Sequence, residues 1–148
     1  MSEEMMNPSP EFAESARVGD MERYRALYEE SVANPEAFWA KVAQRLDWDR
    51  PFSKVLDYDF HEARISWFED GQLNASVNCI DRHVAAGRGD HCAIIWEADE
   101  PGQSLRISYA ELLVKVSRFA NVLRQRGVQK GDRVCIYMPM VAELAVAV

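Results

Sequence analysis

The apolar positions of the chain are most regular in its last third. From Tyr109 onward, Leu112, Val116, Phe119, Ala120 and Leu123 recur at three- and four-residue spacing, the period of a helix that buries one face. Ser108-Tyr109-Ala110-Glu111 precedes that stripe as a capping box: the hydroxyl takes an orphan amide of the first turn and the glutamate reaches back to the cap. Glu111 and Lys115 lie one turn apart on the outer face, in the favourable order. Arg124 and Arg126 suit the last turn, and Gly127 follows as a left-handed terminator. Arg133 to Met138 is then apolar without alternation, which predicts a strand covered on both faces, as in a parallel sheet. Pro139 is placed to open another helix. Met140 to Val148 carries only Glu143 as a polar residue, so that helix is expected to be buried nearly all round, and it lacks a stop signal. The expectation is an N-terminal piece of a larger α/β protein.

The earlier chain is patterned more loosely. Met1 to about Val18 has Pro8, Pro10 and no apolar period, and reads as a flexible arm. Asp20 can cap a helix in which Tyr24, Leu27 and Tyr28 share a face. Asn34-Pro35-Glu36 caps a second helix, with Phe38, Trp39, Val42 and Leu46 as its buried stripe. Lys54 to Glu62 continues as extended, aromatic-bearing chain. Ile65 to Phe68 suggests a short strand closed by the turn Glu69-Asp70-Gly71-Gln72. Asn74 caps a third helix to about Ala86, with Val77, Ile80 and Val84 inward, and Gly87-Arg88-Gly89-Asp90 is its exit turn. Cys92 to Trp96 and Leu105 to Ile107 are strands joined by a hairpin loop through Pro101-Gly102. The weakest boundary falls near residue 90, where helical, aromatic-rich sequence gives way to strands and helices of an α/β sheet.

Composition narrows the function classes. A chain of 148 residues that is 48% hydrophobic can build a core, and its net charge of −7 argues against nonspecific nucleic-acid binding. The charge is uneven: −6 over residues 1–40, −5 over 41–100 and +4 over 101–148, the last mostly the outer face of one helix. Three cysteines, Cys79, Cys92 and Cys135, have no framework spacing, which favours reduced thiols in the cytoplasm. The first ten residues do not form a secretory signal, and no apolar run reaches membrane-span length.

Each candidate for chemistry has a plainer rival. Asp132, in Lys130-Gly131-Asp132-Arg133, could face a phosphate, but the spacing is not that of a P-loop and a helix-to-strand turn accounts for it. Cys79, His83, His91 and Cys92 are soft zinc-ligand types without a pair-and-pair pattern. Asp57, Asp59, His61 and Glu62 could form an acid–base cluster, or could be solvated residues on a connector, the favoured reading. Arg88-Gly89-Asp90 spells an adhesion tripeptide but reads as a turn. Trp39, Trp48, Trp67 and Trp96 could stack bases, yet they do not alternate with basic residues, and packing explains them better. No GxGxxG, serine elbow or HExxH is present, so the residues alone supply no catalytic constellation.

Several stretches taken together do point to a family. They are Phe38-Trp39; Leu46-Asp47-Trp48; Trp67-Phe68-Glu69-Asp70-Gly71 with Leu73-Asn74; Asn78-Cys79-Ile80-Asp81-Arg82-His83; Ala93 to Glu97; Ser108 to Leu112; Arg118-Phe119-Ala120-Asn121; and Gly127 to Met140. In that order, from about Tyr24 to Val148, the chain resembles the N-terminal region of the acetyl-CoA synthetases, AMP-forming acyl-CoA ligases of the adenylate-forming superfamily. Propionyl-CoA and acetoacetyl-CoA synthetases share parts of the pattern. Asn78 to His83 and Tyr137-Met138-Pro139-Met140 look most like the acetate and propionate enzymes. Val141-Ala142-Glu143 departs from the family, which usually has a proline before the glutamate.

The resemblance implies an α/β fold: a flexible arm over residues 1–18, a helical extension over 19–90, and the start of the AMP-binding domain over 91–148. It implies a parent ligase that uses ATP, Mg²⁺ and CoA to convert acetate to acetyl-CoA, AMP and pyrophosphate through an acetyl-adenylate. The family's phosphate loop, adenine- and ribose-binding acidic residue, hinge and catalytic lysine match no position here. No catalytic, cofactor-binding or metal residue is therefore expected on this chain, which alone should be inactive and should bind none of these ligands tightly. Its main packing partner would be the rest of its own polypeptide, with no nucleic acid and no membrane. The alternatives are a propionyl-CoA synthetase segment, or a non-catalytic interaction module that uses the Trp-rich surface.

Overall fold

The computed structural model describes residues 8–148, which form two compact units that divide between Gln72 and Leu73. Composition alone placed the weakest boundary near residue 90.

The first unit is helical and then a hairpin. A short helix, α1 (Pro10–Ser15), lies where the sequence reads as a loose arm; the Ser9 hydroxyl caps it and Pro10 opens it. This local chemistry outweighs the missing apolar period; the rest of the expected arm, residues 1–7, lies outside the described residues. Asp20 caps α2 (Met21–Ala33) by accepting from the Arg23 amide at 2.7 Å. Asn34 caps α3 (Pro35–Ala43) by accepting from the Ala37 amide. The expected stripe of α3 is only partly covered: Phe38 and Val42 are half-buried, Trp39 and Leu46 are exposed, and Ala43 is the buried residue of the helix.

Strands β1 (Lys54–Asp59) and β2 (Arg64–Glu69) pair antiparallel, with Leu56 opposite Trp67 and Tyr58 opposite Ile65. The extended stretch expected over Lys54 to Glu62 is thus one arm of a hairpin. Behind it the rings of Trp48, Phe52 and Phe68 pack with centroids 5.1–5.6 Å apart. Gly71 closes this cluster, because a Cβ there would stand 2.6 Å from Trp48 Cζ3 and 2.9 Å from the Phe68 carbonyl oxygen.

The second unit opens with a helical stretch capped by Asn74, whose side chain accepts from the Val77 amide. Its interior is widened into two π-helical segments, Val77–Asp81 and Val84–Arg88, the second containing Gly87 at φ 76°. Strands β3 (Cys92–Glu97) and β4 (Ser104–Ser108) form the expected antiparallel hairpin. The amphipathic helix follows as α4 (Tyr109–Gln125), with both halves of the capping box made by Ser108 and Glu111. Ile80, Ile107, Leu112 and Ala142 are the centre of this unit's core, with Ile94, Trp96, Tyr109, Leu113 and Val116 packed around them.

Two expectations fail in the last stretch. Arg133 to Met138 forms no strand, and every residue from Gly131 to Met140 is exposed. A strand apolar on both faces needs a neighbour to take its backbone groups and a layer on each side. The described β-strands pair only within the two hairpins, so that neighbour is missing. The last helix, α5 (Ala142–Ala147), starts after Val141 rather than at Pro139, and Ala142 is its buried residue. Val146 also packs on the core around Ile107 and Leu112, while Glu143, Ala145 and Val148 are exposed, so the helix is covered on one side only.

Candidate functional site

The sequence offered an acid–base cluster at Asp57, Asp59, His61 and Glu62, and the hairpin explains why these residues stand together. Asp57 on β1 accepts from Lys54 Nζ at 2.6 Å and from Arg64 across the pair. The hydrogen bond from Lys54, then that from Arg64, holds its carboxyl below the ordinary carboxylate value, while the same contact raises Lys54. Asp59 Oδ1 accepts from the His61 and Glu62 amides at 3.0 and 3.2 Å, which closes the hairpin turn. The Asp57 and Asp59 carboxylates are thus occupied in pairing and turn formation.

The zinc-type residues do not converge. His83 Nδ1 lies 2.7 Å from Arg88 Nη2 and its ring packs on Tyr109. Cys92 Sγ donates to the Ile94 carbonyl oxygen, and Cys79 lines an apolar groove. Among the described residues no group of three or more His, Cys, Asp and Glu could hold a metal ion. Asp132 Oδ2 accepts from the Gln129 amide at 2.8 Å and the Asp132 amide donates to the Gln129 carbonyl, so this carboxylate closes a turn. Arg88 and Asp90 belong to an exit turn in which the His91 amide donates to the Arg88 carbonyl.

Each tryptophan has a partner within the chain, although Trp39 and Trp67 keep an exposed face. Trp39 meets Trp67 edge-on at 6.2 Å, Trp48 Nε1 donates to the Ala43 carbonyl, and Trp96 Nε1 donates to the Met140 carbonyl. A groove of about 290 Å³ lies in the second unit, lined by Cys79, Ile80, Val116, Phe119, Leu123 and Val146. It went unseen in the sequence because its walls come from three separated segments. Its lining is apolar and lacks the convergent polar groups of a small-molecule site. What the arrangement can do is pack against more protein.

Residues 24–79 match the family described as acetyl-coenzyme A synthetase N-terminus, and residues 81–148 match the AMP-binding enzymes. Acetyl-coenzyme A synthetase of Parvibaculum lavamentivorans is 52% identical over 99% of this chain and 23% of its own length. That of Novosphingobium aromaticivorans is 53% identical over 97% of this chain and 22% of its own length. The solved structure of acetoacetyl-CoA synthetase from Streptomyces lividans superposes with a TM-score of 0.72 at 29% identity, covering 92% of this chain and 21% of that one. The fold and the matches are those of the opening part of the AMP-binding enzymes of the acyl-CoA synthetase type. Within that class the chain belongs to the acetyl-coenzyme A synthetase family, and it spans between a fifth and a quarter of the length of the curated relatives it matches. No helix among the described residues is long and apolar enough to cross a membrane.

Proposed function

We propose that this chain is the N-terminal portion of an AMP-forming acetate–CoA ligase and serves it as scaffold. In the whole enzyme acetate attacks the α-phosphorus of ATP to give acetyl-adenylate and pyrophosphate, and the CoA thiol then displaces AMP. The observation that carries this reading is the match to acetyl-coenzyme A synthetases at about half identity along nearly the whole chain. That the relatives from Parvibaculum lavamentivorans, Novosphingobium aromaticivorans and Photobacterium profundum all carry the acetyl-coenzyme A synthetase name favours acetate over propionate.

Mg²⁺ supplies cationic stabilisation of phosphoryl charge in such chemistry. The described residues here offer no ligand cluster that fits it, so no metal step is assigned to this chain. The scaffold role is supported by where the polar candidates are spent: Asp57 and Asp59 in the hairpin, Asp132 in a turn. The role divides into a helical, aromatic-rich extension that ends by residue 90 and the first elements of the adenylation domain after it. The ligase is read as cytoplasmic, with acetate, ATP and CoA as its partners, and with neither nucleic acid nor membrane among them. Its main packing partner is the rest of its own polypeptide.

Calorimetric titration of the chain with ATP and with CoA tests the scaffold assignment. No saturable heat is expected from either. Tight, stoichiometric ATP binding would overturn it.

A further inference from the structure

His83 sits at the junction of the helical stretch and the hairpin, half-buried, with its ring centroid 4.9 Å from that of Tyr109 at the start of α4. Its Nδ1 lies 2.7 Å from Arg88 Nη2. A guanidinium has donors and no acceptor, so Nδ1 must offer a lone pair, and the imidazole in this contact is neutral with its proton on Nε2. The contact spans the turn around Gly87, which takes φ 76°. Just beyond, the Ala110 amide donates to the Gly89 carbonyl at 2.9 Å and the Tyr109 amide to the His91 carbonyl at 3.0 Å. The exit turn is thus tied to the first turn of α4 by two backbone bonds and by the His83 ring.

We propose that His83 is an acid-sensitive latch: its neutral ring, accepting from Arg88 and packed on Tyr109, holds the exit turn over residues 87–91 onto α4. A proton taken from solvent onto Nδ1 removes the acceptor and sets two cations in contact. The charged and titratable groups that face the ring are Arg82 and Arg88 on its own segment and Tyr109 on α4. Desolvation first, then Arg88 and Arg82, hold its pKa below the ordinary 6.5. A base held low favours the folded state above 6.5, and this contribution is lost as the pH falls from 6.5 through the folded value. The latch is independent of the ligase reading, since it concerns a local opening and no ligand.

The test is NMR on the 148-residue chain: histidine ring ¹⁵N shifts and amide-exchange protection at Tyr109 and Ala110, from about pH 7 to about pH 5. The neutral ring should carry its proton on Nε2. Protection at Ala110, corrected for intrinsic exchange, should fall by at least about threefold on acidification. H83Q should abolish that fall, and R88M should raise the His83 titration midpoint. R88M alters an exposed side chain, so the test stands even if H83Q fails to fold. A proton on Nδ1 in the neutral ring, a midpoint unmoved by R88M, or the same fall in H83Q would each overturn the latch.

Discussion

The indole N–H of Trp96 donates to the carbonyl oxygen of Met140 at 2.8 Å, across 44 positions of sequence. Trp96 is on β3 and half-buried against the core around Ile107 and Leu112, so this bond anchors the exposed run over residues 131–140 just before α5. Trp96→Phe keeps most of the ring packing and leaves the Met140 carbonyl without this donor. The expected cost is about 1 kcal/mol in urea unfolding. Proteolysis after Tyr137 should become faster, and unchanged stability together with unchanged cleavage would show that the bond does not hold the run.

Two glycines should respond to alanine for different reasons. At Gly71 the new methyl would meet Trp48 Cζ3 and the Phe68 carbonyl oxygen, so one wall of the aromatic cluster must move, at a cost of about 1–3 kcal/mol. At Gly127 nothing lies within 4 Å, but φ is 84°, and the penalty of about 1 kcal/mol comes from the backbone alone. Near-ultraviolet circular dichroism separates them: Gly71→Ala should disturb the tryptophan signal and Gly127→Ala should not.

The capping box gives α4 a pH dependence. The Ser108 backbone N–H first, then its hydroxyl, hold Glu111 below its ordinary 4.5. A carboxylate held low stabilises the fold fully above 4.5, and that contribution disappears as the pH falls through the folded value. Ser108→Ala should cost about 1 kcal/mol at neutral pH through the lost cap, and Glu111→Gln, which removes the titrating carboxyl, should flatten the acid limb of helicity. An acid limb identical to that of the unaltered chain would remove Glu111 as its source.

These features were legible because their signals are local. Asp20, Asn34, Asn74 and Ser108 each sit three residues before the amide they cap, and all four caps form. The β3–β4 hairpin was legible for the same reason, with apolar runs on either side of Pro101-Gly102. Arg133 to Met138 misled because an apolar run states what a strand requires, not whether its neighbour is present. The π-helical widening over Val77–Asp81 and Val84–Arg88 has no period of its own, so it read as an ordinary helix. The candidate acids were legible as residues but not as roles, since Arg64 reaches Asp57 only once the hairpin pairs.

Exposed apolar surface should govern solution behaviour. Val134 is 53% and Met140 83% exposed, beside Ile136, Tyr137 and Met138 in the same run. Contiguous patches of this kind mark protein contacts or aggregation sites. The isolated chain should self-associate, and replacing Ile136 and Met138 by serine should lower light scattering on heating without lowering α4 helicity. Heating of the unaltered chain without any rise in light scattering would contradict this.

We propose that these residues build the scaffold of an acetate–CoA ligase and carry none of its catalytic groups. The most direct measurement replaces the matching segment of the Novosphingobium aromaticivorans acetyl-coenzyme A synthetase with residues 24–148 of this chain. Acetate- and CoA-dependent AMP release is then followed for the chimera and for the chain alone. The expected result is turnover by the chimera, within about tenfold of the parent, and none by the chain. A folded but inactive chimera, or AMP release by the chain alone, would contradict the account.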